Sequence, residues 1–216
     1  MDTEAMTSRK QELRRQLRAR RTRTYRDEAG QRRRAEEGRR LLEHASPLIA
    51  LVERAAAEAP APPRVAAFHP TPTEADVMPL ARRLAAAGAH LVFPAAAGRQ
   101  LEWITWDGVS EFVDSPGRGF GKEPTGQRLG PTALADARLV LAPAVAVDRS
   151  ATRIGHGAGY YDRALRAVSQ DAMVVAVIHP DELLEAGSLP RGAHDVPIPH
   201  VLTADGIVRL VTSARP

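Results

Sequence analysis

The sequence predicts an α/β protein: an open, mostly parallel, Rossmann-like sheet flanked by helices, with a helical segment ahead of it. Three observations lead there. Apolar runs at 64–69, 89–94, 139–147 and 173–178 have the length of strands and are bounded by Gly, Pro or Asp. Stretches with helical spacing or caps alternate with them. The runs are apolar throughout, as in strands covered by helices on both faces.

Taken in order, residues 8 to about 58 read as helix, with Ser8 as a cap and Leu13 and Leu17 at helical spacing. Gly30 and the Ser46-Pro47 pair are expected breaks, giving two or three helices instead of one rod. The A-P-A-P-P run at 59–63 is a stiff linker into the sheet. A strand at 64–69, a helix at 74–87 capped by Thr73 and stopped by Gly88, and a strand at 89–94 make a β-α-β unit with a parallel pair. Residues 101–106 alternate like an edge strand, and 107–131 form an irregular excursion rich in Gly, Pro and Asp. A buried strand at 139–147 follows, then a glycine turn, a helix from about 160, a strand at 173–178 and a short helix at 181–186. A Pro-punctuated loop at 190–199 leads into a final pair, 201–203 and 207–212. The whole, 1–216, is expected to be one domain, with residues 8–58 packed on or beside the sheet.

Composition narrows the function. A 44% hydrophobic content with only 4% aromatic residues means a core of Ala, Val and Leu. The absence of cysteine excludes disulfides, thiolate zinc sites and cysteine nucleophiles. Nowhere do 18 consecutive apolar residues occur, so a cytoplasmic protein with no membrane partner is expected. The net charge of +4 is uneven: residues 1–40 hold 14 basic and 7 acidic side chains, the remainder 16 and 19. A nucleic-acid partner would therefore have to bind the N-terminal helices, but Arg interleaved with Glu reads instead as a solvated face. Of the 30 basic residues only Lys10 and Lys122 are lysines, a weak pointer to point-charge roles.

Chemistry concentrates at 153–163, R-I-G-H-G-A-G-Y-Y-D-R. Strand, glycine-rich turn and helix together present backbone N–H groups to an anion. Gly155, Gly157 and Gly159 permit close backbone approach. The third glycine comes one residue too early for a dinucleotide fingerprint, and no G-K-[ST] follows as in a Walker loop. Asp162, in the first turn of the next helix, either complements the helix dipole or supplies an oxygen to Mg²⁺ beside bound phosphates; spacing leaves both open.

The run from Pro143, P-A-V-A-V-D-R-S-A-T-R-I-G-H-G-A-G-Y-Y-D-R, resembles the signature of the 5-formyltetrahydrofolate cyclo-ligase (5,10-methenyltetrahydrofolate synthetase) family, P-x-x-A-x-D followed by R-L-G-x-G-x-G-Y-Y-D-R. Around it, K-Q-E-L-R at 10–14 resembles the family's K-x-x-L-R and Glu74-Ala75-Asp76 its E-x-D. Lys122-Glu123-Pro124 resembles G-x-x-E-P, with Lys122 outside the pattern, and His194-Asp195 the C-terminal H-D segment. The resemblance implies an enzyme using ATP and Mg²⁺ to cyclise 5-formyltetrahydrofolate, with phosphorylation of the formyl oxygen and release of ADP and phosphate. Arg153 and Lys10 would be catalytic. ATP would be held by Lys10, Gln11, Glu12, Leu13 and Arg14 together with Arg153, Ile154, Gly155, His156, Gly157, Ala158, Gly159, Tyr160 and Tyr161. The reduced folate would meet Glu74, His156, Gly157, Ala158, Gly159 and Tyr160, and Mg²⁺ would take Asp162 and Asp195. A monomer is expected. His156, Ala158, Val77 and Pro199 depart from residues frequent in that family. Rival readings are a nucleic-acid-binding protein, an inactive relative, and a metal-dependent hydrolase built on His194, Asp195 and His200.

Overall fold

The computed structural model describes residues 3–116 and 121–211. Thr212, the expected end of the last strand, and residues 117–120 of the irregular excursion lie outside the described residues. Three helices come first: α1 (Thr3–Tyr25), α2 (Glu28–His44) and α3 (Ser46–Glu58). Ser8 is not a cap; α1 begins upstream, with Glu4 in its first turn complementing the dipole. The first break falls at Asp27, whose carboxylate caps α2 by accepting the Gly30 N–H at 2.8 Å. Gly30 is inside α2 and needed for contact: a Cβ there would lie 2.3 Å from the Thr24 carbonyl oxygen. The second break is the expected one, with Pro47 in the first turn of α3, where its missing N–H costs nothing.

The strands are β1 (Arg64–Ala66), β2 (His90–Ala97), β3 (Gln100–Trp106), β4 (Val113–Asp114), β5 (Lys122–Glu123), β6 (Ala137–Pro143), β7 (Ala146–Asp148), β8 (Arg153–Ile154), β9 (Met173–Val177), β10 (Leu183–Leu184), β11 (His200–Thr203) and β12 (Gly206–Arg209). Seven of them form the main sheet in the order β12-β11-β9-β6-β1-β2-β3. From β11 to β2 neighbours run parallel, while β3 and β12 close the two edges as antiparallel hairpins. Side chains of each inner strand alternate between two cores. Val65, Leu91, Phe93, Leu139, Leu141 and Val175 pack under α2, α3 and the crossover helix α4 (Met78–Ala86). Ala66, Val92, Val140, Ala142 and Ala176 pack on the other face with Trp103, Leu134 and Leu165. Both alternations are buried, so the strand runs read as continuously apolar.

Three expectations are corrected. The helix foreseen at 74–87 starts only at Met78. Residues 71–74 close a turn instead, with the Glu74 N–H donating to the Thr71 carbonyl and the Thr71 N–H donating to the Glu74 carboxylate. The run 139–147 is two strands: β6 ends at Pro143, and β7 turns into a separate sheet of order β10-β7-β8. Both pieces are buried and apolar, so hydrophobicity could not divide them. Residues 181–186 form a single 3-10 turn (Pro180–Glu182) and then β10, whose Leu183 and Leu184 pair in parallel with β7.

The chain steps one way from β1 to β2, then returns to β6 and continues outward through β9 and β11. The direction reverses between the adjacent β1 and β6, and beyond the carboxyl ends of such strands an open α/β sheet leaves a crevice. Among the described residues no helix is long and apolar enough to cross a membrane.

Candidate active site

A cleft of about 1080 Å³ lies at this reversal, floored by Phe68 and His69 after β1, Pro94 of β2 and Pro143 of β6. That is room for two mid-sized ligands, since single small-molecule sites run to about 300–1,000 Å³. Eight basic side chains line it against three acidic ones, Glu74, Asp162 and Asp195. The cleft is therefore short of negative charge.

The glycine turn forms one wall. It leaves β8 at Ile154 and enters α5 (Tyr160–Ala164), with φ of 111° at Gly157 and 67° at Gly159. α5 has only five residues, so an anion here would rely on the N–H groups of the loop more than on a helix dipole. Arg153, 6% exposed, donates from Nη2 to Asp162 Oδ1 at 2.7 Å, and its guanidinium lies 5.9 Å from the Tyr161 ring centroid. Tyr161 stands edge-on to Trp103, and burial raises its phenol well above the usual range. Tyr160 is anchored at the β2–β3 turn by donating its hydroxyl to the Gly98 carbonyl at 2.8 Å.

The adjoining wall is α1. Arg14 Nε donates to the Gly155 carbonyl at 2.7 Å, docking the helix on the turn, and the Lys10 ammonium pairs with the Asp195 carboxylate. Asp195 also accepts the Gly192 N–H, and Asp162 accepts that of Val196 at 3.4 Å, so the two aspartates share one rim. Burial and the nearby Arg18 charge lower the Arg14 pKa, the response of a guanidinium among other cations. Gln11 faces the cleft, but Glu12 pairs with Arg15 outside it and Leu13 packs with Val145 and Ile154.

Glu74 meets the glycine turn from its other side, 5% exposed. Its Oε1 accepts from His156 Nε2 at 2.7 Å, with Arg21 Nη1 at 3.6 Å, while Oε2 accepts the Thr71 N–H. Burial works against its charge, but the His156 hydrogen bond and charge, the Thr71 N–H and Arg21 outweigh it and hold the carboxyl at about 2. Arg21 is itself buried, bonded to Glu182 at 2.5 Å and to the Ala144 carbonyl at 2.7 Å.

One cleft thus gathers Lys10, Gln11, Arg14, Glu74, the whole stretch 153–162 and Asp195. Sequence reading missed Arg18, which continues the Lys10–Arg14 spacing by one more turn, and Phe68 and His69, which the carboxyl-end rule for β1 would have indicated. It gave no signal for Arg21, whose importance comes from burial. His194, Asp195 and His200 do not assemble: His200 lies in β11 away from the cleft, and no cluster of three or more His, Asp or Glu suited to a metal occurs among the described residues. Two carboxylates on one rim still suit Mg²⁺, which binds through one or two carboxylates plus substrate phosphates. Many N-terminal arginines are engaged within their own helices, as in Arg15–Glu12, Arg32–Glu28, Arg33–Glu37 and Arg39–Glu36.

The sequence profile of the 5-formyltetrahydrofolate cyclo-ligase family matches residues 6–204. The chain is 38% identical over 152 residues, 68% of its length and 76% of the relative's, to a 5-formyltetrahydrofolate cyclo-ligase of Mycolicibacterium smegmatis. It is 33% identical over 84 residues, 35% and 30% of the two lengths, to a mitochondrial one of Arabidopsis thaliana. The fold superposes on the Aquifex aeolicus 5,10-methenyltetrahydrofolate synthetase with a TM-score of 0.71 and 25% identity, covering 96% of this chain and 95% of that one. For the Mycoplasma pneumoniae synthetase the TM-score is 0.64 at 16% identity, covering 90% and 98%. With the profile spanning most of the chain and the signature turn lining its cleft, this protein belongs to the 5-formyltetrahydrofolate cyclo-ligase family.

Proposed function

We propose that this protein catalyses the ATP- and Mg²⁺-dependent conversion of 5-formyltetrahydrofolate to 5,10-methenyltetrahydrofolate, ADP and phosphate. The observation that carries the reading is the contact of Arg14 with the Gly155 carbonyl, which sets the basic face of α1 against the glycine turn. A triphosphate between them would meet backbone N–H groups on one side and Lys10 and Arg14 on the other.

In this mechanism the formyl oxygen attacks the γ-phosphorus and ADP leaves. Folate N10 then attacks the formyl carbon, the new C–N bond forms, and the C–O bond breaks as phosphate departs with the former formyl oxygen. N10 loses its proton in the process. The protein's part is to position and to neutralise charge. Arg153, held by Asp162, offers its guanidinium to the moving phosphoryl group, and Lys10 of α1 offers its ammonium. Glu74, beside the turn at His156, orients the folate. Asp162 and Asp195 would hold Mg²⁺, which when bound offsets phosphate charge. The test is the methenyl product's ultraviolet absorbance, expected only when folate, ATP and Mg²⁺ are all present. No absorbance change at high enzyme concentration would instead identify an inactive relative.

A further inference from the structure

Glu74 stands where a substrate contact is expected, yet both its oxygens are already engaged, by groups from three separate elements. Thr71 of its own turn, Arg21 of α1 and His156 of the glycine turn converge on it. At 5% exposure the carboxylate has little water to orient it, so these partners decide where it points. Further out, Glu182 takes the other side of Arg21, Arg34 of α2 donates to the Glu74 carbonyl at 2.6 Å, and His179 meets the neighbouring Thr73 carbonyl at 3.1 Å. Of the three direct partners, His156 belongs to the segment that would also cradle phosphates. Its ring is partly open to the cleft, with a side-chain exposure of 40%.

We propose that His156 is a positioning residue for the folate: from the glycine turn it holds the buried Glu74 carboxylate in the orientation that receives the paired N–H donors of the reduced pterin ring. The inference rests on the reading of Glu74 as the folate contact. Arg21 at 3.6 Å is too far for a good hydrogen bond and is shared with Glu182, so it does not fix the carboxylate alone. Burial is the largest influence on Glu74 and favours its neutral form, while the His156 bond heads the opposing group. Without His156 the carboxyl moves toward protonation and loses an acceptor lone pair that the pterin needs.

The experiment compares wild type, His156→Leu, His156→Gln and Glu74→Gln in steady-state assays with 5-formyltetrahydrofolate and ATP, between about pH 5 and about pH 8. His156→Leu is expected to raise the folate KM about tenfold near neutrality, the weight of one hydrogen bond to a charged group, with kcat and the ATP KM little changed. Its folate KM should climb further as pH falls, relative to wild type. His156→Gln, whose amide still donates to the carboxylate, should recover most of the loss. A wild-type pH profile in His156→Leu, a change confined to the ATP KM, or no recovery in His156→Gln would overturn the proposal. If Glu74→Gln leaves the folate KM unchanged, it is the reading of Glu74 that fails, and the role of His156 falls with it. A large Glu74→Gln effect beside a silent His156→Leu would sink the positioning role alone.

Discussion

Replacing Gly157 by alanine should damage this protein twice, through two independent mechanisms. The residue has φ of 111°, a conformation that costs an L-residue about 1–2 kcal/mol or more wherever its side chain goes. The added Cβ would also lie 3.3 Å from the Arg14 guanidinium carbon, 3.4 Å from Nη1 and 3.5 Å from Nε. Arg14 must then give by a few tenths of an ångström, lengthening its 2.7 Å hydrogen bond to the Gly155 carbonyl and weakening a charged contact worth about 1.5–3 kcal/mol when intact. The backbone strain falls on stability, where each kcal/mol shifts Tm by about 2–4 °C in a chain of this size. The shifted guanidinium falls on nucleotide affinity, about three- to tenfold in the ATP KM. Scanning calorimetry and an ATP titration at saturating folate read the two effects separately. Gly155→Ala supplies the contrast: that residue lacks a positive φ, and its Cβ would press on Arg153 Nη1 at 3.0 Å, so its loss should appear in kcat more than in Tm. If Gly157→Ala lowers Tm but leaves the ATP KM at the wild-type value, Gly157 serves the turn alone and the cradle is elsewhere.

Arg153→Ala and Asp162→Asn should each lower kcat by about 10²–10³, the first by removing a cation that neutralises developing charge, the second by loosening the carboxylate that holds that cation and would hold Mg²⁺. An unchanged kcat with native circular dichroism would return both to structural roles. Stability should fall in acid: Glu74 is held at about 2 against an ordinary 4.5, so its contribution is complete above about pH 4.5 and is lost as pH drops toward about 2, on the order of 3 kcal/mol in all. Glu37, lowered by His179 and Arg33 against the opposing effect of burial, adds in the same direction. Glu182, raised by burial, subtracts. Urea midpoints against pH should therefore fall less steeply for Glu74→Gln than for wild type; parallel curves would refute the assignment. Gly30→Ala should cost several degrees of Tm, because its Cβ would meet Thr24 and Tyr25 backbone atoms, which have nowhere to move. A wild-type Tm would show that the α1–α2 junction is looser than its geometry indicates.

Local rules were legible where the physics is local. The Ser46-Pro47 break, the stop at Gly88, the edge position of 101–106 and the parallel β1–β2 pair follow from dihedral preference, side-chain period and connection length. The failures share a cause. Thr73 was a reasonable cap, but the Glu74 carboxylate bonds the Thr71 N–H and closes a turn before α4 can start. Pro143 sits inside an apolar run, and only the pairing partners of β6 and β7 reveal that the run changes sheets. Glu12 and Leu13 lie in the same motif as Lys10 and Arg14 yet face away, as positions two and three along a helix must when one stripe faces the cleft.

By itself, then, the sequence determined the α/β class, the glycine turn and the residue types that suit phosphate chemistry, because steric preference and period act over a few residues. The tertiary structure decided which of those residues meet. Glu74 and His156 are separated by 82 positions, Arg14 and Gly155 by 141, Lys10 and Asp195 by 185. Whether a charge is paired, buried or open to a ligand depends on the dielectric and the partners around it. Those exist only once the two ends of the chain close over the sheet.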